Sequence, residues 1–112
     1  MKHNMKLNEE PYNSILYGKK DIELRLNDEK RQKIQVGDII TFTNINTKEN
    51  FDSEVLDLYK SKDFSEIYNK FDKERLGYKS NEEADPKDMK KYYSEEMINK
   101  YEVVGIKVKK LK

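Results

Sequence analysis

Residues 18–28 read GKKDIELRLND, and this stretch has the most regular alternation of apolar and polar residues in the chain. Apolar side chains occupy every second position, at Ile22, Leu24 and Leu26. Because successive side chains of a β-strand point to opposite faces, one face of this strand is expected to enter a core. The other face would present a carboxylate, a guanidinium and an amide in a row, at Glu23, Arg25 and Asn27. A functional site is therefore expected here.

The length and composition of the chain indicate a single domain spanning residues 1–112. Charged residues make up 40% and hydrophobic residues 35% of the sequence, which is polar for a folded domain. Eight tyrosines and four phenylalanines nevertheless argue against disorder. The net charge of +1 provides no overall field for nucleic acid, so any RNA contact must depend on a local patch.

Several kinds of site are excluded by what the sequence lacks. Without cysteine there can be no disulfide, thiolate zinc site or cysteine nucleophile. The single histidine, His3, argues against a histidine general base or a multi-histidine metal site, so we expect neither a metal nor a cofactor. No apolar run approaches about 20 residues and no signal peptide is visible, so the sequence predicts a cytoplasmic protein without a membrane partner.

The order of predicted elements favours an α+β fold. Period-2 and helical patterns, with their turn and capping residues, predict strands at 5–7, 22–26, 39–45, 51–59 and 104–108, and helices beginning at Pro11, Phe64, Pro86 and Glu95. The apolar parity changes within 51–59, which indicates either two partly covered faces or a β-bulge. Because helices and strands do not alternate regularly, the sheet is expected to be mixed or antiparallel and curled around a small barrel-like core.

The segment from Gly18 to Arg25 resembles the G-x-K-x-x-E-x-R signature of the ASCH domain, a branch of the PUA-like superfamily. Three further segments are similar to that family in their order along the chain: Glu10-Pro11-Tyr12 before the signature, Val36-Gly37-Asp38 before a strand, and the closing strand from Tyr101 to Ile106. The resemblance implies a small PUA-like β-barrel flanked by short helices. It also implies a cleft that holds the lysine, glutamate and arginine of the signature.

The same resemblance implies RNA or a nucleoside as the partner. PUA-like domains commonly bind RNA, and some small bacterial ASCH proteins are similar to amidohydrolases that remove the acetyl group of N4-acetylcytidine. In that subgroup a lysine, a threonine and a downstream glutamate are implicated in catalysis. Here Lys20 matches the lysine, but Glu23 stands at the threonine position, so a threonine nucleophile cannot be carried over. Glu74 matches the downstream glutamate loosely, with Glu82 or Glu83 as alternatives.

Three functions follow from these residues. In the first, the protein binds RNA or a modified nucleoside: Glu23 accepts from a base amino group, Arg25 holds a phosphate or carbonyl oxygen, and Asn27 and Tyr78 line the same site. In the second, Lys20 and Glu74, assisted by Glu23, hydrolyse an acetylated cytidine without a metal, or cleave RNA. In the third, the protein is a non-catalytic interaction module in which Glu23 and Arg25 form only a surface ion pair worth ~0–1 kcal/mol.

Overall fold

The computed structural model describes residues 1–111 and has an α+β architecture. Five strands form one sheet: β1 Lys2–Leu7, β2 Ile22–Leu26, β3 Ile39–Asn44, β4 Asn50–Ser61 and β5 Val103–Lys110. The α-helices are α1 Glu9–Leu16, α2 Glu29–Gln32, α3 Phe64–Lys70 and α4 Glu95–Tyr101. Two 3₁₀ helices span Lys73–Leu76 and Pro86–Lys91, so the helix expected after Asp85 is of the 3₁₀ type.

The sheet is mixed and curls into a half-barrel, which confirms the fold class. Its strand order is β1-β3-β4-β5-β2, with β1 parallel to β3 and the other neighbours antiparallel. The first strand begins at Lys2, earlier than the sequence pattern predicts, because its whole length pairs with β3. β1 and β2 are therefore the two edges of the sheet, and the curl brings them towards each other.

A β-bulge, one of the two explanations for the parity change in the sequence, is present in β4. The pairing of β4 with β5 shifts register between Val55 and Asp57. Val55 is fully buried, whereas Leu56 is 38% exposed. The parity change in the sequence therefore has a structural cause, since the extra residue reverses the facing of the residues that follow it.

Two apolar cores lie against the sheet, one on each face of β2 and β5. Residues of β1, β3, β4, α1 and alternate positions of β5 form the first core, which includes Phe42, Val104 and Ile106. The second core contains Ile22, Leu24 and Leu26 with residues of α3, α4 and the 3₁₀ helices. Both faces of β2 are thus covered, whereas the sequence pattern assigned only one of them to a core.

The register of β2 decides which way its charged residues point. Glu23 pairs with Ile106, and Arg25 pairs with Val104. Paired residues of an antiparallel ladder share a face, so Glu23 and Arg25 lie on the side of the first core, inside the curl of the sheet. The polar face of the 22–26 strand is consequently an interior face.

Side-chain caps fix the starts of the helices around β2. The Asp63 carboxylate accepts from the Ser65 backbone N–H at the start of α3, and the Ser94 hydroxyl accepts from Met97 N–H at the start of α4. Glu66, by contrast, accepts from the Ser61 hydroxyl, so the Asp63–Glu66 pair does not form the reciprocal capping box that its spacing resembles.

Replacing Asp63 by alanine is expected to destabilise the protein by about 1 kcal/mol, because the first turn of α3 would lose its side-chain acceptor. Urea denaturation of wild type and Asp63→Ala measures this change. Asp72→Ala is the matched control, since Asp72 precedes a 3₁₀ helix without a side-chain capping bond and its loss should cost less. Equal stabilities of the two variants would contradict the assigned capping role.

Candidate functional site

A cleft of about 460 Å³ opens where the two edge strands approach each other. Lys6 and Leu7 of β1 line one side, and residues 23–25 of β2 line the other. The 3₁₀ region closes the cleft with Leu76, Gly77 and Tyr78. Because this volume is typical of a small-molecule site, the cleft is the best candidate for ligand binding in the described part of the chain.

Three charged residues of the signature meet in this cleft. Glu23 Oε1 lies 3.2 Å from Lys20 Nζ, and Glu23 Oε2 accepts from Arg25 Nε at 2.8 Å. Their side chains are 9%, 5% and 16% exposed for Lys20, Glu23 and Arg25, respectively. The sequence spacing predicted that Glu23 and Arg25 would be neighbours, but the pair is buried rather than superficial.

Each cation of this cluster also binds a backbone carbonyl on another element. Lys20 Nζ donates to Leu76 O at 3.3 Å, and Arg25 Nη2 donates to Lys6 O at 3.2 Å. Arg25 therefore bridges β2 to β1 across the open side of the half-barrel. Since the guanidinium has five N–H donors, further donors remain for a ligand.

A second ion pair fixes Lys20 against the 3₁₀ helix. Arg75 binds Asp21 with two parallel hydrogen bonds, of 2.9 and 3.0 Å, and Asp21 N–H donates to Arg75 O. Gly77 follows with φ +106°, and a Cβ atom there would lie 3.1 Å from Lys20 Cδ. The Lys20 side chain can cross the backbone at Gly77 because that residue has no side chain.

Burial and charge act in opposite directions on Glu23. Burial by itself raises the pKa of this carboxyl, but the nearby charges and hydrogen bonds of Lys20 and Arg25 outweigh it, and the pKa lies below the ordinary value. Burial likewise opposes the charge of Arg25, while Glu23 raises the pKa of its guanidinium. Glu23 is therefore an ionised acceptor at neutral pH.

The lowered pKa of Glu23 predicts a specific contribution to acid unfolding. A carboxyl whose folded pKa lies below its unfolded value stabilises the fold above the unfolded pKa, about 4.3, and loses that effect as the pH falls through the folded pKa. The stability difference between wild type and Glu23→Gln should therefore shrink as the pH is lowered below about 4.3. Urea denaturation at a series of pH values measures it, with the exposed Glu83→Gln as control. A pH-independent difference would contradict the prediction.

Tyrosine and carboxylate side chains form the opposite wall of the cleft. The Tyr78 hydroxyl donates to Asp88 Oδ2 at 2.8 Å and also lies 2.8 Å from the Tyr68 hydroxyl. Burial, followed by these two hydrogen bonds, raises the pKa of Tyr78 well above its ordinary value. The Tyr78 ring is thus held as a neutral, oriented wall residue.

The structure brings some of the sequence-predicted residues together and separates others. Lys20, Glu23, Arg25 and Tyr78 all line the cleft. Glu74 lines a smaller neighbouring pocket, whereas its alternative Glu82 lines the cleft itself. Within residues 1–111, Asn27 lies outside both pockets, although it shares the parity of Arg25.

Other lining residues were not singled out by the sequence. Lys6 reaches the cleft because β1 and β2 are the two edges of the curled sheet, a strand order that no local pattern reveals. Tyr92 and Tyr93 contribute aromatic surface, and Tyr92 is 65% exposed. Both tyrosines lie off the apolar stripes of the sequence, a weak signal that a tyrosine can face a ligand, although Tyr93 also packs against the second core.

The smaller pocket, of about 320 Å³, adjoins the cleft. Lys20, Gly77, Tyr78 and Ser14 line both cavities, so Lys20 forms part of their shared wall. Lys19, Glu74, Lys79 and Ser80 complete the smaller pocket together with Gly18.

The described residues contain neither a cluster of metal ligands nor a membrane-spanning helix. Among residues 1–111 there is no group of three or more histidine, aspartate or glutamate side chains placed to hold a metal ion. None of the helices described above has the length and apolar content needed to span a bilayer.

Comparison with known proteins identifies the family. The ASCH domain model matches residues 5–112, and the chain therefore belongs to the ASCH domain family. No curated protein matches the chain.

Two solved structures are similar over their full lengths. The crystal structure of hypothetical protein PH0355 is 38% identical, with a TM-score of 0.83, covering 99% of this chain and 100% of that one. The solution NMR structure of protein PF0455 from Pyrococcus furiosus is 31% identical, with a TM-score of 0.77, covering 100% and 99%, respectively. Neither name indicates an activity, so function is inferred from the site.

Proposed function

We propose that this ASCH domain binds RNA or a modified nucleoside in the cleft lined by Lys20, Glu23 and Arg25. The observation that carries the proposal is a buried carboxylate held between two cations beside an open cleft of ligand size. A buried charged cluster of this kind is costly to maintain for stability alone. ASCH domains are, moreover, generally proposed to bind RNA.

The hydrogen-bonding capacity of the cluster suits a nucleobase. Glu23 uses one oxygen for Lys20 and the other for Arg25, and each carboxylate oxygen can accept a second hydrogen bond. Glutamate accepts from the N4 amino group of cytosine, and arginine donates to ring and carbonyl acceptors. A base edge that presents an amino group beside an acceptor would satisfy both side chains.

The charge of the cleft also suits a base and its sugar. Four basic and four acidic side chains line it: Lys6, Lys20, Arg25, Lys91, Glu10, Glu23, Glu82 and Asp88. Because these charges balance, the lining offers directional hydrogen bonds without a strong net electrostatic field. Tyr92, exposed at the rim, adds a ring on which a base could stack, a contact worth ~1–3 kcal/mol.

The test compares binding by wild type and by the double variant Glu23→Gln, Arg25→Gln. Kd values for cytidine, N4-acetylcytidine and fluorescein-labelled single-stranded RNA are measured by NMR titration and by fluorescence anisotropy. We expect at least a tenfold loss of affinity in the double variant, whose fold is verified by circular dichroism.

The matched control is Lys2→Gln, Asp52→Asn. This pair also joins a carboxylate to a cation on another strand, at 3.4 Å, but neither residue lines either pocket in the described part of the chain. Unchanged affinity of the Glu23 and Arg25 variant for every ligand tested would overturn this assignment of the site.

A second function, hydrolysis of an acetylated cytidine, is favoured by one observation. Lys20 and Glu74 line the same smaller pocket, which places the lysine and a downstream carboxylate around one space. Lys20, however, donates to Glu23 and to Leu76 O, which suits a cation that orients a substrate better than a base that removes a proton.

Incubation with N4-acetylcytidine tests this second function, with cytidine release followed by chromatography. Release by wild type that is lost in Lys20→Ala and in Glu74→Gln would support hydrolysis, and the appearance of RNA fragments under the same conditions would reveal a ribonuclease. No release from folded protein would reject hydrolysis. Loss of stability without any ligand effect in the Glu23 variants would instead support an interaction module.

A further inference from the structure

The charge of the smaller pocket differs from that of the cleft. Three lysines and one glutamate line it, Lys19, Lys20, Lys79 and Glu74, whereas acidic and basic residues balance in the cleft. Lys20 is already paired with Glu23, but Lys19 and Lys79 still leave an excess of positive charge over Glu74. The smaller pocket is therefore suited to an anionic group.

The walls of this pocket are held in place by their own contacts. Lys73 Nζ donates to Ser80 O at 2.9 Å and also to Glu82 O, which fixes the loop that carries Lys79. On the other side, a Cβ atom at Gly18 would lie 2.8 Å from Ser14 O, so a glycine is needed for the chain to pass the end of α1. The two lysine-bearing segments face one pocket because of these contacts.

The two cavities adjoin each other. They share Ser14, Lys20, Gly77 and Tyr78, and the Lys20 side chain lies against the backbone at Gly77. A ligand that spans both cavities would present one group to the smaller pocket and a second, linked group to the cleft. Phosphate attached to the sugar of a nucleoside has this relation to its base, and lysine is a common phosphate ligand.

We propose that the ligand is a phosphorylated nucleoside, with its base in the cleft and its phosphate in the pocket formed by Lys19, Lys79 and Ser80. This inference rests on the proposed function, since it takes the cleft as the base site. The phosphate can belong to a free mononucleotide or to an RNA strand, and both present the same anionic oxygen atoms to the lysines.

The experiment measures Kd for cytidine, cytidine 5′-monophosphate, cytidine 3′-monophosphate and a short single-stranded RNA. The proteins are wild type, Lys19→Gln with Lys79→Gln, and the control Lys60→Gln with Lys62→Gln. The control removes the same charge from two exposed lysines that lie outside both pockets within residues 1–111. Both double variants should fold, because they alter exposed side chains.

We expect wild type to bind at least one phosphorylated ligand about tenfold more tightly than cytidine. The Lys19 and Lys79 variant should lose this preference while its affinity for cytidine stays within twofold, and the control should keep it. The salt dependence of RNA binding should also weaken in the variant, because fewer counterions are released per strand bound. If only the RNA binds more tightly than cytidine, the phosphate belongs to an RNA strand. If a mononucleotide also binds more tightly than cytidine, the phosphate belongs to a free nucleotide.

Two results would overturn the inference. One is equal affinity of wild type for cytidine and for every phosphorylated ligand. The other is a phosphate preference that survives in the Lys19 and Lys79 variant. In either case the proposed function remains supported if cytidine binding depends on Glu23 and Arg25. Absence of binding to these four ligands and to N4-acetylcytidine would reject both proposals.

Discussion

Glu23→Ala is expected to lower the free energy of unfolding by about 3–5 kcal/mol, an unusually large effect for a charged residue. The substitution leaves Lys20 and Arg25 close together and largely buried without the carboxylate that separates them. When one member of a buried ion pair is removed, the charge that remains buried has no partner to offset its desolvation cost. Urea denaturation at pH 7, followed by far-ultraviolet circular dichroism, measures the change.

The control for this prediction is Glu83→Ala, in an exposed loop, which should change stability by less than about 0.5 kcal/mol. A loss below about 1 kcal/mol in Glu23→Ala would mean that the ion pair behaves as a surface pair. The burial of this face of β2 would then be contradicted, together with the argument that Glu23 is held for a ligand.

Ile22→Ala is expected to cost about 2–5 kcal/mol. Ile22 is fully buried in the second core, and its Cγ2 atom lies 3.3 Å from the position that a Cβ atom would occupy at Gly105. Truncation to alanine leaves a cavity between β2 and the helices that cover it. Because β2 is an edge strand, its position depends strongly on this packing, and the site on its other face should be disturbed as well.

The same denaturation experiment tests Ile22→Ala, with Ile45→Ala as its control. Ile45 is 38% exposed just after β3, so its truncation should cost less than about 1 kcal/mol. A ratio near one between the two costs would show that the second core does not hold β2. Ligand affinity measured on the folded fraction of Ile22→Ala would report how far the cleft depends on that core.

Local patterns were sufficient for much of the fold. The alternation around Leu24 predicted β2, the parity change within residues 51–59 offered a bulge as one of two explanations, and three helices begin at Phe64, Pro86 and Glu95 as expected. Each of these features depends on residues that are close in sequence, where side-chain spacing and backbone hydrogen bonding leave few alternatives.

The site was less predictable, because it depends on contacts that are remote in sequence. Alternation shows that Glu23 and Arg25 share a face, but it does not show that the curl of the sheet covers that face. The contact of Lys20 with Leu76 O and Gly77 likewise requires the 3₁₀ helix to return to β2. The same limit applies to Glu74, whose sequence position gives no indication that it faces the smaller pocket.

The pairing of β2 has a consequence for how the protein acquires its site during synthesis. β2 finds its ladder partner in β5, where Ile22 pairs with Lys107, so these two strands come from distant parts of the chain. Closing so long a loop is slow compared with forming a hairpin such as β3–β4. A ribosome-bound chain that has not yet released β5 therefore has no place to dock β2. Competence to bind is therefore gained only once β5 has emerged, after the β3–β4 hairpin has formed.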